Sequence, residues 1–197
     1  MSLNTQPKNP DAADLIFVLA GRQYRKTFAM RLYEAGRAPR ILLSVARFEI
    51  RRFSHLQFPL LLDLSALAAS VPPAQRHFFV LLDRGQCQVE KVPVLMFGTL
   101  GEVESLSAWL ERHPEVQSVL VVSSSFHLRR VRMTCRAILP ERVKIRYIAA
   151  EEEAKAGNWK GTIRSKSWFA AEVFKLAAYW FLLAVRKPAR GAKNSQS

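Results

Sequence analysis

The chain has 197 residues, of which 49% are hydrophobic and 23% are charged, and its formal net charge at pH 7 is +14. This length and composition exclude a disordered chain and predict one globular domain that buries about 70% of its unfolded surface. The basic excess predicts an anionic partner, namely a phosphorylated small molecule, an anionic lipid or a nucleic acid.

The cysteines and the N-terminal residues indicate the compartment. Cys87 and Cys135 suit neither a zinc site nor a disulfide framework by number or spacing, so we predict reduced, buried thiols. Residues 1–12 are polar and contain two prolines, which predicts a disordered segment rather than a signal peptide. We therefore expect the folded domain on the cytoplasmic side of the membrane.

The N-terminal part of the chain has the pattern of a βαβ unit. The apolar run at residues 14–20 predicts a buried strand that Gly21 ends. Helical spacing then begins at Arg22 and stops at Gly36. The apolar stripe of this helix consists of Tyr24, Phe28, Leu32 and Ala35. Because residues 40–44 are a second apolar run, we predict two parallel strands joined by a right-handed crossover.

Prolines divide the middle of the chain into short elements. Residues 48–57 and 60–70 are predicted as two short helices, each followed by proline. Residues 78–82 are a third apolar strand, and a turn follows at residues 83–85. Residues 89–97 have an extended pattern, and the proline within them predicts an edge strand.

One more helix and two more strands are predicted before residue 150. Residues 99–112 have helical spacing, with Val103, Leu106 and Leu110 on the inward side. Residues 119–122 are too short and too apolar for a helix turn, which indicates a strand buried on both faces. Residues 144–148 are the last strand. These elements predict a single α/β domain over residues 13–185, with a mostly parallel sheet of about five strands and helices on both faces.

The stretch VLVVSSSFHLRRVRMTCR, residues 119–136, contains a strand, a polar turn and a helix without a spacer. Ligands of open α/β sheets bind at such carboxyl ends of strands, and a helix N-terminus attracts anions. His127 and Arg130 fall in the first turn, three residues apart and on one side. We therefore predict an anion site formed by Ser123, Ser124, Ser125, His127 and Arg130, in a crevice beside the end of residues 14–20.

A purely structural interpretation of the same residues stays open. The serines are good N-cap residues, and His127 can be a satisfied polar side chain. Arg129, Arg132 and Arg136 have the spacing of a solvated basic helix face.

Thr99 and Glu102 also have two interpretations. Their order, T-x-x-E at a helix start, is that of a capping box, which would account for both residues structurally. The same helix begins beside the predicted crevice, so the Glu102 carboxylate can instead face His127 and orient it or raise its pKa. In that arrangement His127 acts as acid or base and Glu102 assists it.

The C-terminal part is predicted to consist of a polar linker, an amphipathic helix at residues 168–185 and a basic disordered tail at residues 186–197. Glu172 and Lys175 disfavour a membrane span within that helix. Docking on the α/β domain is the preferred interpretation. Attachment to the inner face of an anionic membrane is the alternative, because tryptophan, tyrosine and cations flank the helix.

Several enzyme classes lose support because their motifs are absent from the sequence. It contains no G-x-S-x-G, no P-loop, no G-x-G-x-x-G and no H-E-x-x-H. Serine hydrolases, nucleotide kinases, ordinary dinucleotide dehydrogenases and zinc proteases are therefore disfavoured.

Three stretches of the sequence resemble the YdcF/SanA/ElyC family of bacterial proteins. The first is ADLIFVLAG at residues 13–21, with Arg25 and the segment GRAP before ILLS at residues 41–44. The second is TLGEV at residues 99–103, which is similar to the family's T-x-x-E-A element. The third is VSSSFHLRR at residues 122–130, which is similar to V-T-S-x-x-H-x-x-R. The resemblance covers roughly residues 13 to 182. Ala20-Gly21 and Ser44-Val45 differ from the glycine pair and the Ser-Gly usual in the family.

The resemblance implies a Rossmann-like three-layer α/β domain with one polar pocket. It also implies a role in cell-envelope biogenesis, on a phosphate-bearing precursor such as a lipid carrier, and S-adenosylmethionine as a candidate ligand. The predicted catalytic residues are His127 and Glu102. The predicted ligand-binding residues are Gly21, Arg25, Ser44, Thr99, Ser123, Ser124, Ser125 and Arg130, and no metal ligands are predicted.

Two other classes of function stay open. The first is a non-catalytic module that binds a nucleotide-like ligand such as S-adenosylmethionine. The second is nucleic-acid binding, which is weaker because no stretch interleaves basic residues with exposed aromatic residues.

Overall fold

A six-stranded sheet forms the centre of the fold in a computed structural model that describes residues 12–50, 64–93 and 98–150. Its strands in chain order are β1 (Leu15–Val18), β2 (Arg40–Ala46), β3 (His77–Asp83), β4 (Gln86–Lys91), β5 (Ser118–Ser124) and β6 (Lys144–Ala150). Their order across the sheet is β4-β3-β2-β1-β5-β6. The predicted α/β class is confirmed, with six strands in place of about five.

Four α-helices accompany these strands in the described ranges. They are α1 (Gln23–Glu34), α2 (Leu64–Ala69), α3 (Thr99–Arg112) and α4 (Ser125–Ile138), and a 3-10 turn covers Pro73–Gln75. Helix α1 connects β1 to β2, and α4 connects β5 to β6. Both connections join parallel neighbours, as the predicted βαβ pattern requires.

The sheet is mostly parallel, and its antiparallel part begins at β3. Strand β1 pairs in parallel with β2 and β5, and β5 pairs in parallel with β6. Strand β3 is antiparallel to both β2 and β4. Its first residue, His77, therefore lies opposite Ala46 at the carboxyl end of β2.

A tight hairpin explains the antiparallel pairing of β3 with β4. Asp83 and Gln86 face each other in the ladder, and only Arg84 and Gly85 lie between them. Both residues have positive φ, of 48° and 84°. This is the backbone of a two-residue hairpin turn, whose twist matches that of the strands. Strand β4 is at the edge of the sheet, as its proline-containing continuation predicted.

The two faces of the sheet bury two separate apolar clusters. Ile16 and Val18 of β1 belong to one cluster, which includes Ala29 of α1. Leu15 and Phe17 belong to the other, which includes residues of α3 and α4. This alternation follows from the period of two in a strand. The predicted inward residues of α3, namely Val103, Leu106 and Leu110, are fully buried in the second cluster.

Helix α1 differs from its predicted packing in one respect. The residues that it buries are Arg25, Lys26 and Ala29, whereas Tyr24, Phe28 and Leu32 of the predicted stripe are only partly buried. Two basic side chains of α1, those of Arg25 and Lys26, therefore point into the protein.

Helix α1 ends at Glu34, and Gly36, the predicted stop, follows the C-cap residue Ala35. The Gly36 N–H donates to the Tyr33 carbonyl at 2.9 Å, and the Arg37 N–H donates to the Leu32 carbonyl at 3.0 Å. Gly36 has φ of 69°, so this end is a Schellman motif with glycine in the left-handed position.

Several sequence predictions concern residues that the structure does not describe. The N-terminal segment, the linker, the helix at residues 168–185 and the basic tail lie outside the described residues. So do residues 51–63 of the two predicted proline-bounded helices and residues 94–97 of the predicted extended stretch. Within the described ranges, no helix has the length and apolar character needed to cross a bilayer.

Candidate functional site

A cleft of about 240 Å³ lies where the strand order of the sheet reverses. From β1 the chain passes through α1 to β2 on one side, whereas β5 and β6 lie on the other side of β1. The carboxyl ends of β1, β2 and β5 therefore meet at one edge, which is the usual ligand position in open α/β sheets. The polar lining residues are Arg25, His77, Thr99, Glu102, Ser123, His127 and Arg130.

Most of the predicted site residues line this cleft. Seven of the ten are in its wall, namely Gly21, Arg25, Thr99, Glu102, Ser123, His127 and Arg130. Ser44 and Ser124 are buried behind the wall and hydrogen-bond to residues that line it. Ser125 is exposed at the start of α4. The sequence therefore located the cleft, although it assigned some contacts to the wrong partners.

His127 and Arg130 lie on one side of the first turn of α4, as their spacing predicted, and they also form a hydrogen bond. Arg130 Nη2 lies 3.1 Å from His127 Nδ1, and Arg130 Nε donates to Thr99 Oγ1 at 3.2 Å. A guanidinium only donates hydrogen bonds, so Nδ1 of His127 is the acceptor and its ring proton is on Nε2. Arg130 is only 8% exposed. Its guanidinium is thus held between α3 and α4 in a fixed orientation at the cleft.

The serines before α4 do not cap the helix through their side chains. Ser124 is the N-cap residue, but no side-chain capping hydrogen bond forms there. Its hydroxyl oxygen accepts from Arg25 Nη2 at 2.9 Å instead. Ser123 Oγ is buried and has no hydrogen-bond partner within the described ranges. The capping interpretation of these serines is therefore wrong at the level of the side chains.

Arg25 connects the ends of β1 and β5. Its Nη1 donates to the Ala20 carbonyl at 2.9 Å, and its Nη2 reaches Ser124 as described. The guanidinium packs directly on Gly21, where an added Cβ would lie 2.7 Å from Nη1. Gly21 also has φ of 141°, a backbone conformation that favours glycine. The backbone conformation therefore favours glycine at this position, and a larger residue would displace the Arg25 guanidinium from its hydrogen bonds.

Glu102 does not form the predicted capping box. The N-cap of α3 is Gly98, and no side-chain capping bond forms. The Glu102 carboxylate reaches across the sheet edge, where Oε1 accepts from the Ala20 N–H at 2.9 Å and from Ser44 Oγ at 2.7 Å. Burial raises the pKa of Glu102, although the hydrogen bonds from Ser44 and Ala20 oppose the shift.

His77 is a site residue that the sequence interpretation missed. Its Nε2 lies 2.7 Å from Ser44 Oγ and 3.8 Å from Glu102 Oε1. Burial lowers the pKa of His77 to about 4, and the positive charge of Lys26 adds to this effect. The distance to Glu102 alone would suggest an ion pair. Burial disfavours the charged form of both groups, so we assign a neutral His77 at neutral pH.

Ser44 joins these two groups in a hydrogen-bonded chain. If Ser44 donates to Glu102, the Nε2–H of His77 donates to Ser44 Oγ. If Glu102 is protonated, all the donors reverse, and the same three atoms stay bonded. The geometry of His77, Ser44 and Glu102 can therefore transfer a proton between two groups that line the cleft.

Lys26 and Glu49 form a buried ion pair beside the cleft, which the sequence interpretation also missed. Lys26 Nζ lies 2.5 Å from Glu49 Oε1. The same carboxylate accepts from the N–H groups of Gly21 at 2.8 Å and Ala46 at 3.0 Å. The turn after β1 and the turn after β2 are thereby held together.

The amides of Ala20 and Gly21 are consequently occupied within the protein, by Glu102 and Glu49. The β1–α1 turn does not offer these amides to an anion, whereas the first turn of α4 lies beside two fixed arginines, Arg25 and Arg130.

No family model, curated protein or solved structure matches the chain. The chemistry of the cleft therefore provides the basis for the function proposed below.

Within the part of the chain that the structure describes, no three His, Cys, Asp or Glu side chains form a group that could hold a metal ion. The carboxylates nearest the cleft are those of Glu102 and Glu49, and both accept hydrogen bonds from the protein.

Proposed function

We propose that the chain binds, and acts on, a phosphate-bearing precursor of the cell envelope in this cleft. The observation that carries the proposal is the position of Arg130, which Thr99 and His127 hold at the first turn of α4 within the cleft. We also infer a Rossmann-like three-layer arrangement, because alternate residues of β1 pack with helices in two different clusters.

In this proposal Arg130 binds the phosphate, because a guanidinium offers two parallel donors that match two phosphate oxygens. The exposed backbone N–H groups and the dipole at the N-terminus of α4 add favourable charge. The Nε2–H of His127 donates a hydrogen bond to an oxygen of the bound ester and stabilises the negative charge on it.

The second acid or base is best supported at His77 rather than at a Glu102–His127 pair. His77 is neutral, lines the cleft and hydrogen-bonds to Ser44, so it can accept a proton from a substrate hydroxyl or water. Glu102 receives or supplies the proton through Ser44. The sequence predicted that Glu102 assists His127, whereas in this proposal Glu102 assists His77 instead.

The envelope precursor rests on the resemblance to the YdcF/SanA/ElyC family. The inner face of the plasma membrane as the location rests on the polar N-terminal segment and on the aromatic and basic residues that flank residues 168–185. The fixed arginines and the basic net charge support any phosphate-bearing ligand equally. The experiment must therefore compare ligands of different classes.

The test is titration of the full chain with an isoprenoid-carrier phosphate, with S-adenosylmethionine and with duplex DNA, by calorimetry and by product analysis. We expect the carrier phosphate to bind, Arg130→Lys to weaken binding at least tenfold, and His127→Ala to abolish turnover more than binding. Binding of DNA alone, with a steep salt dependence, would refute the proposal.

The second candidate is a non-catalytic module for a nucleotide-like ligand such as S-adenosylmethionine. One observation favours it, which is the position of the cleft at the reversal of strand order, where open α/β sheets bind nucleotides. Saturable binding of S-adenosylmethionine, without binding of the carrier phosphate and without turnover, would support this candidate over the first.

A further inference from the structure

Two phenylalanines are exposed at the mouth of the cleft. Phe48 is 65% exposed and Phe126 is 69% exposed. Phe48 lines the cleft, and Phe126 directly precedes His127, which also lines it. Within the described ranges the remaining exposed large hydrophobic residue is Leu67, at 39% on α2. The largest exposed apolar side chains are therefore concentrated beside the site.

The sheet sets the distance between the two strand ends that these residues follow. Phe48 follows β2 and Phe126 follows β5, and these strands lie on either side of β1. Neighbouring strands are about 4.8 Å apart, so the ends of β2 and β5 are separated by about 10 Å. The two phenylalanines therefore follow strand ends on opposite sides of β1, and they belong to different loops.

Exposed arginines accompany the phenylalanines. Arg47 precedes Phe48, and Arg129 lies three residues after Phe126, on the same side of α4. Arg22, at the turn after β1, is also exposed. Among the described residues near this edge, the carboxylates of Glu49 and Glu102 are buried. The mouth therefore has an apolar and cationic surface.

We propose that the mouth of the cleft docks on an anionic lipid bilayer. Phe48 and Phe126 enter the interface between headgroups and acyl chains, and Arg22, Arg47 and Arg129 contact lipid phosphates. The cleft then opens toward the headgroup layer. This docking goes beyond the proposed function, since it requires neither catalysis nor a particular ligand in the cleft.

The test is co-sedimentation of the full chain with vesicles of equal parts phosphatidylglycerol and phosphatidylcholine. Four proteins are compared: wild type, Phe126→Ser, the double variant Phe48→Ser/Phe126→Ser, and Leu67→Ser as the matched control. We expect each phenylalanine substitution to reduce vesicle affinity about tenfold, the control to bind like wild type, and added salt to weaken binding. Vesicles of phosphatidylcholine alone should bind weakly.

Melting temperatures establish that each variant is folded, and surface substitutions should change them little. The proposal is overturned if wild type does not bind anionic vesicles or if the double variant binds them like wild type. It is also overturned if Leu67→Ser loses as much vesicle affinity as Phe126→Ser does. If the chain attaches to vesicles through another part, the double variant would bind them like wild type.

Phe126→Ser should bind inorganic phosphate like wild type. Loss of phosphate binding in all four proteins, with phenylalanine-dependent vesicle binding intact, would refute the proposed function and leave the docking surface standing.

Discussion

Gly21 combines a positive φ with close contact to a guanidinium, and this makes it a sensitive single position. Its φ is 141°, and a Cβ would lie 2.7 Å from Arg25 Nη1. We expect Gly21→Ala to lower the free energy of unfolding by about 2–3 kcal/mol, since it adds strain and displaces Arg25. Gly36→Ala is the control, because Gly36 has φ of 69° but nothing within 4 Å. Gly36→Ala should lower the free energy of unfolding, measured by urea denaturation, by about 1 kcal/mol. Equal losses of stability in Gly21→Ala and Gly36→Ala would contradict the role given to Arg25.

His77 predicts a dependence of stability on pH. Unfolded histidine takes up a proton below about pH 6.5, whereas burial lowers the pKa of folded His77 to about 4. Between these values the unfolded state binds more protons, so stability is full above pH 6.5 and falls as the pH drops toward 4. The loss approaches about 3 kcal/mol.

The measurement is urea denaturation of wild type and His77→Gln at several pH values from 7 to 4.5. The raised pKa of Glu102 acts in the opposite direction, since its contribution is full below the ordinary carboxyl pKa and lost as the pH rises. Because Ser44 links His77 to Glu102, the difference between the two proteins reports the loss of His77 together with its coupling to Glu102. A constant difference in free energy of unfolding across this range would contradict the assignment of neutral His77.

The residues that sequence interpretation missed share a physical cause. Lys26 sits between apolar positions of α1, and a lysine in a helix is usually solvated. Its burial depends on Glu49, which is distant in sequence and close only in the fold. His77 precedes an apolar strand, and such a strand has the same pattern in either direction. The position of His77 at the cleft depends on β3 being antiparallel, which the apolar run cannot indicate.

At the scale of elements, Glu49 holds the turns after β1 and β2 through Lys26, Gly21 and Ala46. Lys26 is only 2% exposed, so removing its partner leaves a buried charge. We expect Glu49→Gln to cost about 3–5 kcal/mol, and Lys26→Met combined with Glu49→Gln to cost less than that single change. A double-mutant cycle by chemical denaturation measures the coupling. Additive losses would show that the pair does not act as a unit.

The elements themselves were predictable wherever a local pattern determines them. The six strands coincide with the apolar or extended runs of the sequence, and α1 stops before Gly36 because glycine adopts the left-handed conformation there. The Asp83-Arg84-Gly85 turn also formed as expected, and it produces the β3–β4 hairpin. The predicted capping box of Thr99 and Glu102 does not form. Thr99 accepts a hydrogen bond from Arg130 and Glu102 accepts one from Ala20 instead. Those donors are set by tertiary structure.

At the scale of the whole molecule, the two cysteines differ in burial, since Cys135 is buried and Cys87 is partly exposed. Burial raises the pKa of Cys135 to about 12, and the pKa of the half-buried Cys87 is also raised. Only the thiolate reacts with a disulfide reagent. We expect one thiol, Cys87, to react slowly at pH 8 in native protein and both to react at once in guanidinium chloride. Rapid native labelling of Cys135, tested in a Cys87→Ser variant, would contradict the packing of α4.

The pairing of β1 with β5 joins residues that are far apart in the chain, with Leu15 beside Val119. During synthesis β1 can pair with β2 soon after both leave the ribosome, but its other edge has no partner until β5 emerges. At roughly 5–20 residues per second this interval lasts several seconds. The nascent chain therefore presents an unpaired, apolar central strand to chaperones, and the cleft between β1 and β5 is complete only when translation has passed α4.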